Sequence, residues 1–157
     1  MNERRPRRQT FTGSDQAGQY DHEVLEVSRV VRVVKGGRRF RFRASVIAGD
    51  RNGKVGFGVG KSRDVQQAVQ KGQEQAKKRM TKIVLAEGTI KHPVEAAFKG
   101  AHVMLKPAKP GTGIIAGGTT RMVADLAGIK DLVAKRYGSA NKMSNVQATL
   151  KALEQLS

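Results

Sequence analysis

Cysteine and tryptophan are missing from this chain of 157 residues, and acids are scarce, with 13 Asp and Glu against 30 Lys and Arg. The absence of thiols excludes disulfides, thiolate nucleophiles and cysteine-ligated zinc or iron–sulfur centres, and it fits a reducing compartment. Aromatic residues amount to only 4%, which leaves few candidates for the platforms on which single-strand RNA binders stack bases. Long apolar runs are also missing. No window approaches the roughly 18 residues of a membrane span, and Met1 to Gln19 is polar and Arg-rich, without the apolar stretch of a secretory signal. A cytoplasmic protein is expected. The histidines, His22, His92 and His102, lie at spacings unlike any metal-ligand pair, and the dispersed acids read as solubilising charges rather than acid–base partners. No metal, cofactor, membrane or small-molecule substrate is expected.

What is present is positive charge. The formal net charge of +17 points to a polyanionic partner. Residues 24–63 hold eleven Lys or Arg against Glu26 and Asp50, a local excess of +9, whereas residues 1–23 balance four Arg with four acids. The main anion-binding surface therefore belongs to the first half of the chain. A hydrophobic fraction of 38% still builds a compact aliphatic core, and the length suits one domain of about 150 residues or two small ones.

Val24 to Lys35 is rich in valine and runs into Lys35-Gly36-Gly37-Arg38, where two glycines suit the positive φ of a tight hairpin. On the return strand Phe40, Phe42, Ala44, Val46 and Ala48 share one face, the predicted core, and Arg39, Arg41, Arg43 and Ser45 share the other. Asp50-Arg-Asn-Gly53 is a second turn. Lys54 to Lys61 is a third strand, in which Gly56, Gly58 and Gly60 occupy one face. Three glycines there mark the close approach of another backbone, either a partner's or that of a crossing helix of this chain. Ser62 or Asp64 is placed to cap a helix whose stripe is Val65, Ala68, Val69, Gly72, Ala76 and Met80. Lys77, Lys78 and Arg79 in its last turns complement the helix dipole and are placed to touch phosphate.

The fold class is α+β in two small domains: a β-β-β-α unit over residues 22–88 and a β-β-α-β-α unit over residues 89–157. Residues 1–21 form a basic arm without hydrophobic periodicity, expected to be disordered, and either ordered by RNA or merely solvated. In the second unit, strands around Val94–Phe98 and His102–Lys106 precede the glycine-rich loop Pro110 to Gly118. A helix with Met122, Val123, Leu126 and Ala127 then ends at Gly128, and a short strand, Leu132 to Tyr137, leads to a last helix from about Met143.

The loop at residues 111–120 has P-loop spacing in Gly113-Ile-Ile-Ala-Gly-Gly118-Thr-Thr120, but Thr119 stands where that motif needs lysine. A phosphate-binding enzyme built on this loop is one alternative, and an architectural DNA-binding protein is another. RNA binding has the fuller mechanism. Arg39, Arg41 and Arg43 recur every second residue, about 6.8 Å apart along a strand, comparable with the spacing of successive phosphates. Arg29, Arg32, Lys35 and Arg38 around the hairpin, Arg51 and Lys54 at the second turn, and Lys61 and Arg63 at the end of the third strand extend the row. Gly36, Gly37, Gly56, Gly58 and Gly60 are expected to permit close approach of RNA.

Five ordered blocks carry a resemblance: Val33-Val-Lys-Gly-Gly-Arg38, Gly53-Lys-Val-Gly-Phe-Gly-Val-Gly-Lys61 with Asp64-Val65, His92-Pro93, Pro110 to Gly118, and Ala134-Lys-Arg-Tyr-Gly-Ser139. From about residue 22 onward the chain closely resembles the bacterial small-subunit ribosomal protein S5 family. The resemblance implies a first domain like the double-stranded-RNA-binding fold without its first helix, and a second similar to the left-handed β-α-β superfamily. It also implies a non-enzymatic constituent of the small ribosomal subunit that binds small-subunit ribosomal RNA between body and head and contributes to translational accuracy. The implied partners are ribosomal proteins S4 and S8, with S3 where messenger RNA enters.

Overall fold

Asp21–Val34 (β1) and Gly37–Gly49 (β2) form one long antiparallel hairpin closed by Lys35 and Gly36. Valine-rich, β-branched sequence favours the extended pleat. Of the two tip glycines only Gly37 takes a positive φ, 134°, so a single flexible position closes the turn where two were expected. The computed structural model describes residues 20–156; the expected basic arm lies outside them except for its last two residues. Lys54–Ser62 (β3) pairs antiparallel with β2, Val65–Lys78 (α1) crosses back, and Met80–Lys82 (β4) adds an edge strand, giving the order β1-β2-β3-β4. Met80, expected on the helix stripe, belongs to that edge strand. Asp64 occupies the N-cap position of α1 without a side-chain cap bond, and the Ser62 hydroxyl instead donates to Gln67 Oε1 at 2.9 Å.

The second unit comprises Val94–Phe98 (β5), Ala101–Pro107 (β6), Ile114–Ile115 (β7), Gly118–Ala127 (α2), Leu132–Gly138 (β8) and Lys142–Glu154 (α3). Its sheet runs β5-β6-β8-β7, antiparallel except for the β7–β8 pair, which is parallel across α2. The two-residue β7 lies inside the expected glycine-rich loop. Both units are thus α+β, the first with a wholly antiparallel sheet and the second with a mixed one. Asn141 caps α3 by accepting the amide of Met143 at 3.1 Å. Asn141→Ala is expected to cost about 1 kcal/mol, since an orphan helix donor loses its partner, and a thermal melt should show a fall of about 2–4 °C.

The first sheet is buried on both faces at its inner end. One face carries Ala44 and Val46 against Ala68 of α1, with Val24, Phe42 and Val69 packed around them. The other carries Ile47, Val55 and Phe57 into the main core, together with Val103, Leu105, Val123, Leu132, Val146 and Leu153 of the second unit. Leu25, the extra residue of a bulge in β1, joins that core. Ser45 is therefore buried although alternation placed it with the arginines. Backbone bonds reinforce the contact: Arg51 N donates to Leu126 O and Gly53 N to Ala127 O, each at 3.0 Å. Helix α2 thus ends against the turn between β2 and β3.

Candidate nucleic-acid interface

Strand β3 accompanies β2 only between Phe42 and Gly49. Beyond it, Val30–Val34 and Gly37–Arg41 continue as a two-stranded ribbon, about 17 Å long at about 3.4 Å per residue. Paired residues in an antiparallel ladder share a face, so the register sorts the side chains. Arg32 lies opposite Arg39, Val30 opposite Arg41, and Ser28 opposite Arg43, which in turn pairs with Lys61 of β3. Five cations thus line one face, on the side of the sheet where the second unit packs.

Val31, Val33, Arg38 and Phe40 occupy the reverse face with Arg29. Phe40, expected in the core, is 43% exposed and Val33 75% exposed, because no third layer reaches the ribbon. The Arg29 guanidinium stacks 3.8 Å from the centre of the Phe40 ring, an exposed cation–π contact of about 0.5–1 kcal/mol.

Cations directly opposed across a ladder repel one another. Acidic neighbours do not relieve Arg32 and Arg39. Asp21 binds Arg51 at 2.8 Å, Glu26 faces Lys142 at 3.5 Å, and Glu95 faces His102 at 3.4 Å. Among the described residues no ion pair joins a carboxylate to Arg32, Arg39, Arg41, Arg43 or Lys61. The face is left with unneutralised charge that a polyanion would compensate.

The other expected contact residues divide into three groups. Lys35 and Arg38 are exposed at the hairpin tip, and Arg63 is exposed just past β3. Arg51 and Lys54 lie at the opposite end of β3 from Lys61, about 23 Å away over seven residues at about 3.3 Å each, so the structure does not bring them into the hairpin row. Arg51 is moreover the cation already paired with Asp21. The glycines separate likewise. Gly36 and Gly37 have open space around them, whereas a Cβ at Gly56, Gly58 or Gly60 would run into the backbone of α1. The close approach at β3 is made by the chain's own helix, which corrects the expectation that these three glycines admit RNA.

Sequence reasoning missed Lys71. Its spacing of seven from Lys78 was the available signal, since those positions share a helix face. The loop at 111–120 offers little to a phosphate. Its Gly113 amide donates to the Asp131 carboxylate at 2.7 Å, and Arg121 donates to Ile114 O at 3.1 Å. A carboxylate thus takes one of the loop's amide donors and repels an anion there. Among the described residues no cluster of His, Asp and Glu could hold a metal, and no helix is long and apolar enough to cross a membrane.

Comparison with known proteins agrees with this architecture. Residues 20–84 match the family described as ribosomal protein S5, N-terminal domain, and residues 96–157 match ribosomal protein S5, C-terminal domain. The chain is also 49% identical over 138 residues to the small ribosomal subunit protein uS5 of Tolumonas auensis, covering 88% of this chain and 83% of that protein. Two family matches in order, over most of the chain and falling on the two sheets described above, place it in the bacterial ribosomal protein S5 family.

Proposed function

We propose that this chain is a structural, non-enzymatic component of the small ribosomal subunit, and that it binds small-subunit ribosomal RNA through the cationic face of its hairpin. The observation that carries the reading is the row Arg32, Arg39, Arg41, Arg43 and Lys61, aligned by register and without carboxylate partners among the described residues. The phosphodiester backbone supplies the missing negative charge, and each neutralised phosphate releases condensed counterions. Family membership supports the same conclusion.

The finer features of the proposal follow the family. The first unit is read as a double-stranded-RNA-binding-like fold, and the parallel β7-α2-β8 crossover as a left-handed β-α-β unit. The cytoplasmic chain is placed between body and head, beside S4 and S8, with S3 where messenger RNA enters, and there it contributes to decoding accuracy. Phosphate contacts fix position without reading sequence, which suits an architectural role.

Arg41→Ala is expected to lower the slope of log affinity for a small-subunit ribosomal RNA transcript against log salt by about 0.9, with an unchanged thermal melt. A slope equal to that of the unaltered protein would remove Arg41 from the interface. Loss of the chain from small subunits in a high-salt wash that leaves other core proteins bound would count against the structural role.

A further inference from the structure

We infer that the groove between the open edge of β3 and helix α1 is a second phosphodiester-binding site, continuous with the hairpin face through Lys61. The inference rests on the RNA-binding reading above and extends it to residues outside the hairpin.

Strand β4 pairs with β3 only at Lys54–Gly56, so from Phe57 onward that edge has no neighbouring strand among the described residues. One of its exposed donors is satisfied by a side chain, since Val59 N donates to Gln75 Oε1 at 2.7 Å. That bond fixes α1 beside the edge and leaves a groove of about 440 Å³ between them. Lys61, Lys71, Lys78 and Arg79 line it, against the single acid Glu74. Positions 71, 74, 75 and 78 follow helical spacing and so share one face of α1.

The helix dipole accounts for cations in the last turn, but its influence fades within that turn. Lys71 lies two turns from the C-terminus of α1, and Lys61 is on a strand. Among the described residues no ion pair joins a carboxylate to Lys61, Lys71, Lys78 or Arg79. The net excess of three positive charges around an open groove selects an anionic occupant.

Lys61 decides between an isolated anion and an extended one. It lines this groove and also a hollow of about 200 Å³ on the hairpin, together with Arg32, Arg39 and Arg41. One side chain common to both makes a single cationic track from the ribbon, past the end of β3, onto the helix. A polymer with regularly spaced charge fits such a track, and the RNA backbone already assigned to its first half is the occupant the geometry favours.

Salt titrations of the full chain against a small-subunit ribosomal RNA transcript test this. Lys71→Gln/Lys78→Gln should lower the salt slope by about 1.8, and adding the same change to Arg39→Gln/Arg41→Gln should lower that variant's slope by about a further 1.8. Lys71→Arg/Lys78→Arg should retain the slope. Glu74→Gln should move affinity the other way, tightening binding about two- to fivefold at 0.15 M salt. All these side chains are exposed, and thermal melts serve as the control for folding. An unchanged slope in the helix variant, with the hairpin variant still lowered, would overturn the groove and leave the hairpin reading standing. Unchanged slopes in both would overturn both. Binding of a heptaglutamate peptide that is lost in the helix variant, while its RNA slope stays the same, would overturn the proposal in favour of an acidic protein segment.

Discussion

Gly58→Val is expected to destabilise the protein by about 3 kcal/mol, the upper part of the usual range for overpacking a core, and to lower the midpoint of thermal unfolding by about 6–12 °C. The reason is that nothing at this site can yield cheaply. A Cβ on Gly58 would meet the carbonyl oxygen of Gly72 and the amide nitrogen of Ala76, both backbone atoms of α1. To make room the helix must lift from the sheet, and it would uncover Ala44 and Val46 of β2 together with its own Ala68, all three completely buried in the packed structure. Gly36→Ala is the control, because that tip glycine has open space around it, and its melt should stay near that of the unaltered protein. A melt of Gly58→Val within about 2 °C of the original would mean that α1 does not sit against β3 as described. RNA affinity should fall in proportion to the unfolded fraction, with the salt slope of the folded fraction intact.

The second large effect is on binding rather than stability. Arg32→Gln/Arg39→Gln/Arg41→Gln removes three cations of the hairpin face, and the salt slope for a small-subunit ribosomal RNA transcript should fall by about 2.7, equivalent to about a hundredfold loss of affinity near 0.15 M salt. Folding stability should hold or rise slightly. Arg32 and Arg39 oppose each other directly across the ladder, and their repulsion in the free protein disappears with the charge. Weaker RNA binding combined with unchanged or improved stability separates a functional charge row from a structural one. A triple variant that bound as tightly as the original would remove the ribbon from the interface. One that melted far below the original would show that these arginines hold the fold together.

Much of the ribbon was legible before any coordinates. The alternation of Arg39, Arg41 and Arg43 put them on one face, but the glycine pair at the tip left the register open, and only the turn formed at Lys35-Gly36 in the structure sets Arg32 opposite Arg39. The glycines of β3 were legible only as a question. Their spacing indicated that some backbone comes close, but a crossing helix and a partner strand leave the same signature in a sequence. Phe40 and Ser45 show the limit of periodicity. Alternation reports which residues share a face but not whether another layer covers that face at that point along the strand. Thus Phe40 stands exposed on the face that alternation assigned to the core, and Ser45 is buried on the face it assigned to the arginines.

By itself the sequence determined the two α+β units, the long basic hairpin, and a chain without thiol chemistry whose charge demands an anionic partner. These follow from local pattern and net composition, which depend on neighbours a few residues apart. Only the tertiary structure decided that α1 occupies the glycine face of β3, that the second unit covers the opposite face at its inner end, and that Lys61 joins the ribbon to the helix groove while Arg51 and Lys54 stand apart. Those outcomes depend on contacts between residues distant in the chain, where packing of one layer on another overrides the period of any single strand.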